Sequence, residues 1–328
     1  MNYRRLGKTG FDISEISLGT WQVGGRWGES FNKKNAEGLI NQAIDSGINF
    51  IDTADVYGNG LSEKMVGEVV RSRSERVYVA SKCGRRLHPH NNEAYTPKAL
   101  RLFVEQSLRN TGLETLDLIQ LHCPPSEVYH RPEIFELFDR LREEGKILNM
   151  GVSVERVDEA LKALQYDNVT TIQIIFNMFR HKPAETFFGE ADGKDVGIIV
   201  RVPLASGLLT GLYSKKTEFG NEDHRNFNRD GAMFDKGETF SGVDYEIGLL
   251  AVEELKEIFP GRENLASLAL RWVLMFDNVS CVIPGASRES QLKSNLSALD
   301  EEALSLEQME GVKEIYDRHI KAQVHHLW

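Results

Sequence analysis

The 328-residue sequence predicts one α/β domain, a (β/α)8 TIM barrel with an N-terminal β-hairpin and extra C-terminal helices. Three observations carry that prediction. Eight short runs rich in Val and Ile alternate with amphipathic stretches, the order of repeated strand–helix units. The runs are mostly continuously apolar rather than alternating, as parallel strands covered on both faces are. Several stop on a polar side chain, which suits the C-terminal rim where such barrels place their sites.

Taken in order, Lys8-Thr9-Gly10 is a hairpin turn signal between two short β-like pieces in residues 1–20. The eight barrel runs are Ile13–Gly19, Asn49–Thr53, Val77–Lys82, Leu116–His122, Ile147–Ser153, Thr171–Asn177, Val196–Pro203 and Cys281–Gly285. Helical periodicity covers Lys34–Ser46, Ser62–Arg71, Pro97–Thr111, Pro132–Glu144, Val157–Gln165, Tyr245–Phe259 and Leu265–Phe276. Thr96 stands as an N-cap before Pro97 at the first helical position, and Gly112 and Gly145 stand where helices should stop. Phe179–Lys194 has the weakest helical pattern of the connections. Further helices are expected over Glu289–Ala298 and Leu306–Lys321, followed by a tail, Val324–Trp328, whose histidines are expected to be disordered or to pack near a substrate mouth. A polar insertion rich in Gly, Asn and Asp, residues 213–244, follows the seventh run; loops of that length are usually lids or disordered, and a lid or cofactor loop is expected. Residues 1–328 thus read as a single domain.

Composition narrows the function. At 41% hydrophobic and 27% charged residues the chain has the material for a large core. A net charge of −10 argues against binding nucleic acid or an anionic membrane surface. The three cysteines, Cys83, Cys123 and Cys281, are far apart and lack zinc spacing. His88-Pro89-His90 has a metal-like look without a third ligand, so no metal is expected. No apolar run is long enough to span a bilayer and the start lacks a secretory core, so a cytoplasmic location is the expectation; oligomeric state is not legible.

The chemistry lies at the strand ends. The first run ends at Gly19-Thr20-Trp21, the second at Asp52 with Tyr57 on the following loop, the third at Lys82 and the fourth at His122. The fifth ends at Ser153, and the sixth carries Gln173 and Asn177. Each polar residue alone has an ordinary reading as a turn residue, a packed ring or a solvated charge. Four of them converging on one rim make a proton donor. An ammonium beside a phenol favours the phenolate, a carboxylate holds the ammonium, and an imidazole can orient the same substrate oxygen. Such a set suits a carbonyl that receives a hydride. The same lysine could instead be a Schiff-base amine.

These motifs resemble the aldo-keto reductase superfamily over nearly the full length. The matching pieces are Tyr3-Arg4-Arg5-Leu6-Gly7-Lys8-Thr9-Gly10, Ser17-Leu18-Gly19-Thr20-Trp21, Phe50-Ile51-Asp52-Thr53-Ala54-Asp55-Val56-Tyr57-Gly58 with Ser62-Glu63, Ala80-Ser81-Lys82, Leu116 to His122, Gly145-Lys146-Ile147, Pro203 to Gly211, and Ile283-Pro284-Gly285-Ala286-Ser287. The resemblance implies Tyr57 as general acid, tuned by Asp52 and Lys82, with His122 orienting the carbonyl of a small-molecule aldehyde or ketone. It implies an extended nicotinamide dinucleotide, NADP(H) favoured and NAD(H) possible. Gly19, Thr20 and Trp21 would lie at its nicotinamide end, with Ser153 and Gln173 at the carboxamide. Pro203, Leu204, Ser206, Gly207 and Leu209 would lie along the pyrophosphate, and Gly285, Ser287, Arg288, Gln291 and Asn295 at the adenosine ribose and 2′-phosphate.

Three departures from the family pattern stand out. Val154 replaces the Asn that often follows the fifth-strand Ser. Arg201 stands where an aromatic ring commonly stacks on the nicotinamide; a guanidinium plane can stack too, and its charge would favour the neutral reduced ring. Leu212 stands where a Lys often follows Leu-Thr-Gly, leaving Lys215, Lys216 or Arg225 as replacements. Trp27, Trp328, Phe219, Phe227, Phe234 and Phe240 are either substrate-pocket walls or loop anchors. A Schiff-base aldolase through Lys82 and a slow-turnover, nucleotide-binding regulatory subunit are the rival readings.

Overall fold

The computed structural model describes residues 1–25 and 31–328; Trp27 lies outside the described residues. Strands β1 (Tyr3–Arg5) and β2 (Asp12–Ser14) form the antiparallel hairpin. Then β3 (Leu18–Gly19), β4 (Phe50–Asp52), β5 (Tyr78–Cys83), β6 (Leu116–His122), β7 (Ile147–Ser153), β8 (Val169–Ile175), β9 (Gly197–Arg201) and β10 (Val279–Val282) pair in parallel, in chain order. Parallel bridges Ile16–Val282 and Gly19–Gly285 join the last strand to the first and close the barrel.

The crossover helices are α1 (Lys33–Asp45), α2 (Leu61–Ser72), α3 (Pro97–Thr111), α4 (Pro132–Glu143), α5 (Val157–Ala163) and α6 (Lys182–Asp192). The long seventh connection holds the short α7 (His224–Phe227), then α8 (Tyr245–Ile258) and α9 (Ala266–Leu274). After β10 come α10 (Glu289–Leu296), α11 (Leu306–Ile315) and α12 (Lys321–Val324). Thr96 caps α3 through Ala99 N, Pro97 opens it, and Gly112 stops it in the left-handed conformation, as the residue types require. Within the described residues no helix is long and apolar enough to cross a membrane.

Four sequence expectations change. Ile13–Gly19 is not one strand. Its first half pairs with β1, placing Ile13 opposite Arg4, and only Leu18–Gly19 joins the barrel. Between them the Ser17 hydroxyl donates to the Ser14 carbonyl and turns the chain. Phe179–Lys194 is helical over Lys182–Asp192, because Phe187, Phe188 and Ala191 give it a buried face. The helix from Leu306 is interrupted by a π-helical segment at Tyr316–Ile320, where the His181 ring stacks on Tyr316 at 4.0 Å. The tail is ordered: His325 hydrogen-bonds Tyr316, and Trp328 is buried beneath the Arg180 guanidinium at 3.9 Å.

The barrel interior explains where chemistry can sit. Leu6 and Ile13 of the hairpin end cover its lower mouth, packing with Phe50, Ala80, Leu118, Ile199, Cys281 and Ile283. Gly7 allows this approach, since a Cβ there would stand 2.3 Å from the Gly197 nitrogen. Alternation along a strand places every second residue on the same face. Phe50, Ala80, Leu118 and Ile199 are therefore followed, one layer up, by Asp52, Lys82, Gln120 and Arg201. An apolar floor carries a polar layer at the C-terminal mouth.

Candidate active site

Register brings the polar layer together. Asp52 ends β4, Lys82 lies opposite Gln120 across β5 and β6, His122 lies opposite Ser153, and Ser153 opposite Gln173. Lys82 Nζ donates to Asp52 Oδ1 at 2.5 Å, to the Thr53 carbonyl at 2.9 Å and to the Tyr57 hydroxyl at 3.3 Å. The second Asp52 oxygen accepts from Gln120 Nε2 at 3.1 Å and Gln173 Nε2 at 2.9 Å. Asp52 and Lys82 are fully buried, a state that such charges tolerate only when paired and hydrogen-bonded.

The electrostatics follow from this packing. Burial opposes the Lys82 charge, but Asp52 and Tyr57 outweigh it and hold the ammonium above its ordinary pKa. Burial raises the Tyr57 phenol, Lys82 pulls it back and Asp52 pushes it up, with a net rise. The expectation that Lys82 depresses this phenol overall is therefore corrected: enclosure prevails, and the hydroxyl keeps its proton through the neutral range. Burial, aided by Arg85, Lys82 and Arg201, drives His122 well below its usual value, so its ring is neutral. The ring lies edge-on to Tyr57 with centroids 6.2 Å apart, and its buried Nδ1 has no hydrogen-bond partner among the described residues.

The Tyr57 loop is shaped by glycine. Gly58 has φ of +57°, and a Cβ there would fall 2.1 Å from the Gly24 carbonyl oxygen. The β3 and β4 loops thus pack backbone to backbone where Tyr57 turns inward. Thr20 donates to the Asp52 carbonyl at 2.9 Å, and Ser62 donates to Thr20, tightening the same junction.

The remaining site candidates form a chain along the rim. Ser153 and Gln173 lie 3.5 Å apart through their side-chain oxygens beside Asp52. Gly285 lies beneath the Trp21 ring, its Cβ position 3.1 Å from the indole nitrogen. Pro203 and Leu204 lead from β9 into a turn in which Ser206 and Gly207 are left-handed and Leu209 is buried. Ser206 Oγ donates to the Glu238 carbonyl at 3.0 Å and accepts from Phe240 N at 3.2 Å, both in the insertion. Arg288 is the exposed N-cap of α10; Gln291 Oε1 accepts from Ser287 N and Oγ, and Asn295 donates to the Gly285 carbonyl. Of the three replacements for the missing lysine, Lys215 is exposed and paired with Glu246, while Arg225 bonds the Tyr213 hydroxyl beside Gly207. The insertion's aromatic residues mostly anchor it. Phe219 packs with Tyr213, Phe240 and Tyr245, Phe227 meets Phe234, and His224 meets Trp21 edge-on at 5.4 Å.

Arg201 departs from the expectation of a free stacking cation. Its Nη2 donates to Glu155 at 2.9 Å and the Val154 carbonyl at 3.0 Å, and Glu238 stands 3.6 Å from Nη1. Two carboxylates offset its charge, which counts against the expected bias toward a neutral nicotinamide. Cys123, Glu155 and Glu238 each bring one ligand atom within 4.8 Å of the others, yet Arg85 and Arg201 already neutralise the carboxylates and leave little attraction for a cation. His90 is bonded to the Tyr95 hydroxyl.

Sequence reasoning missed Gln120, Arg85, Glu155 and Glu238. Gln120 was legible as a polar residue two before His122 on the inward face. Glu238 had no signal, since only tertiary folding brings the insertion to the mouth.

A sequence model of the Aldo/keto reductase family matches residues 15–317. The chain is 28% identical to the uncharacterized oxidoreductase YqkF of Bacillus subtilis, covering 97% of this chain and 99% of that one. It is 29% identical to a probable voltage-gated potassium channel subunit beta of Arabidopsis thaliana, covering 92% of each. Among solved structures, the holo form of aldo-keto reductase AKR11C1 from Bacillus halodurans superposes with a TM-score of 0.77 at 25% identity, covering 97% and 99% of the two chains. The chain therefore belongs to the aldo/keto reductase family, and with it to the nicotinamide-dependent oxidoreductases.

Proposed function

We propose that the protein reduces a small aldehyde or ketone to an alcohol with NADPH, Tyr57 serving as general acid. The observation that carries this reading is the contact of a buried, Asp52-held ammonium with the Tyr57 hydroxyl at 3.3 Å. A reduced nicotinamide supplies a hydride when bound. Tyr57, protonated at the start, gives its proton to the carbonyl oxygen as that oxygen gains charge. Lys82 stabilises the phenolate that results, and Asp52 keeps Lys82 in place. The neutral His122 ring orients the substrate oxygen.

The residues that would hold the dinucleotide are Trp21, Ser153 and Gln173 at one end, the left-handed Ser206–Gly207 turn in the middle, and Ser287, Arg288, Gln291 and Asn295 at the other. Their fit is supported by that turn and by the close packing of the first and last rim loops, where Cβ atoms at Gly19 and Gly285 would stand 2.7 Å from the Ile283 carbonyl oxygen and 3.1 Å from the Trp21 indole nitrogen. Preference for NADPH over NADH rests on Ser287 and Arg288, an exposed cation at a helix start.

Lys82 is a poor Schiff-base nucleophile, because an amine bonded to Asp52, Thr53 and Tyr57 with a raised pKa stays protonated. Likeness to a channel subunit keeps a slow-turnover nucleotide-binding role as the second reading. Tyr57→Phe decides for chemistry: kcat against an aldehyde panel should fall by about 10²–10⁴-fold while the dissociation constant for NADPH changes little. Turnover near wild type in that variant would overturn the mechanism, and negligible turnover by the wild type favours the second reading.

A further inference from the structure

Four charged side chains from four separate elements meet beside His122, and the reduction chemistry uses none of them. Arg85 comes from the loop after β5, Glu155 from the loop after β7, Arg201 from the end of β9 and Glu238 from the insertion. Arg85 Nη1 lies 3.4 Å from Glu155 Oε1, and Arg85 Nη2 lies 3.0 Å from Glu238 Oε1. Arg201 lies 2.9 Å from Glu155 and 3.6 Å from Glu238. Its Nη2 also reaches Cys123 Sγ, the residue after His122, at 3.6 Å. The cluster thus borders the place where a substrate carbonyl would sit.

The two carboxylates are not equivalent. Glu155 leaves the end of a barrel strand, and Arg201 bonds it directly. Glu238 arrives on a three-residue 3-10 turn of the insertion. It stands close to both guanidiniums and to the Glu155 carboxyl, yet among the described residues its Oε1 makes no hydrogen bond of good geometry and the buried Arg201 Nε–H has no partner. Bidentate carboxylates normally satisfy a guanidinium fork. Glu238 therefore fills the charge of this seat without filling its hydrogen bonds. Arg85 and Glu238 side chains retain 21% and 22% exposure, so the seat opens to solvent.

We propose that Arg85 and Arg201 form an anion subsite of the substrate pocket, and that Glu238 is its resident occupant, displaced when a carbonyl substrate bearing a carboxylate or phosphate monoester binds. This rests on the reductase reading for its position and deepens it to a substrate class. The insertion then acts as an internal competitor. Neutral carbonyls meet a charge-neutral wall, and anionic ones must exchange with Glu238. Burial pushes the Glu238 carboxyl up to about 7, with Glu155 adding to the rise against Arg85 and Arg201, which makes this carboxylate the easier of the two to give up.

The test is calorimetric titration of the full-length protein with butanoate and, separately, methyl phosphate, inert probes that carry the anion without the carbonyl. Glu238→Gln removes the competing charge and should tighten binding of at least one probe tenfold or more over wild type. Glu238→Ser, which also withdraws the side chain, should act in the same direction. Adding Arg85→Met to Glu238→Gln should abolish the gain. Which probe responds identifies the source of the anion. If neither Glu238 variant binds either probe more tightly than wild type, the subsite is overturned. A parallel assay with butanal and 4-oxobutanoate separates this from the reductase reading. Lack of NADPH or NADH oxidation by wild type with both aldehydes counts against reduction, whereas the titrations alone decide the seat.

Discussion

Two buried ionisable residues carry opposite energetic meanings in this site. Lys82 is stabilised by every neighbour it touches, and its removal strands Asp52 with only two amide donors. Lys82→Met should lower unfolding stability by about 3 kcal/mol, read from the urea midpoint, besides depressing turnover. Asp55, three residues after Asp52, is the reverse case. It is buried, neither carboxylate oxygen has a hydrogen bond of good geometry among the described residues, and burial, reinforced by Glu63, pushes its pKa up to about 7. The folded state therefore binds a proton that the unfolded chain releases near pH 4. Stability is lost as pH rises from there to about 7 and stays lost above it. Asp55→Asn should leave the melting temperature unchanged near pH 4 and raise stability by roughly 1–3 kcal/mol at pH 8; a gain independent of pH would refute this account.

At the scale of elements, the insertion is structured and tied to its surroundings at several places, Glu238 and Ser241 among them. Asn228 is buried inside it, accepting from Met233 N and Phe234 N and donating to Thr239, which folds the segment on itself. Ser206 then links it to the turn after β9, and Phe219 links it to Tyr245 at the start of α8. Ser206→Ala removes two of these hydrogen bonds. Limited proteolysis within 213–244 should accelerate several-fold in that variant while the barrel resists, and NADPH should restore less protection than in wild type. Equal cleavage rates would show that the aromatic anchors and the Glu238 and Ser241 contacts hold the segment without Ser206. The insertion's length and polarity were legible in the sequence. Its path over the mouth was not, because Glu238 meets Arg85 across more than a hundred intervening residues.

The molecule as a whole is a barrel closed at one end by its own N-terminus. Arg4 binds the structure across that closure. Its guanidinium donates to the carbonyls of Leu274, Phe276 and Val279 at 2.7, 3.3 and 2.9 Å and pairs with Glu15. It thereby satisfies carbonyls left open where α9 ends and β10 begins. Arg4→Ala should cost about 2–4 kcal/mol without changing the denaturant slope; a loss under about 0.5 kcal/mol would show that water replaces the guanidinium there.

Eight parallel strands, their helices and the convergence of Asp52, Tyr57, Lys82 and His122 were determined by the sequence alone. Strand alternation and the rule that parallel strands present their C-terminal ends to one face leave little choice about where those side chains go. Only the tertiary structure decided the rest. It split Ile13–Gly19 between hairpin and barrel, since pairing with β1 competes for the same backbone groups. It raised the Tyr57 phenol that a neighbouring ammonium was expected to lower, because desolvation depends on how completely a ring is enclosed. It turned Arg201 from a free cation into a member of a neutral cluster. Local patterns encode which face a residue occupies, whereas enclosure and long-range charge pairing exist only once distant segments have met.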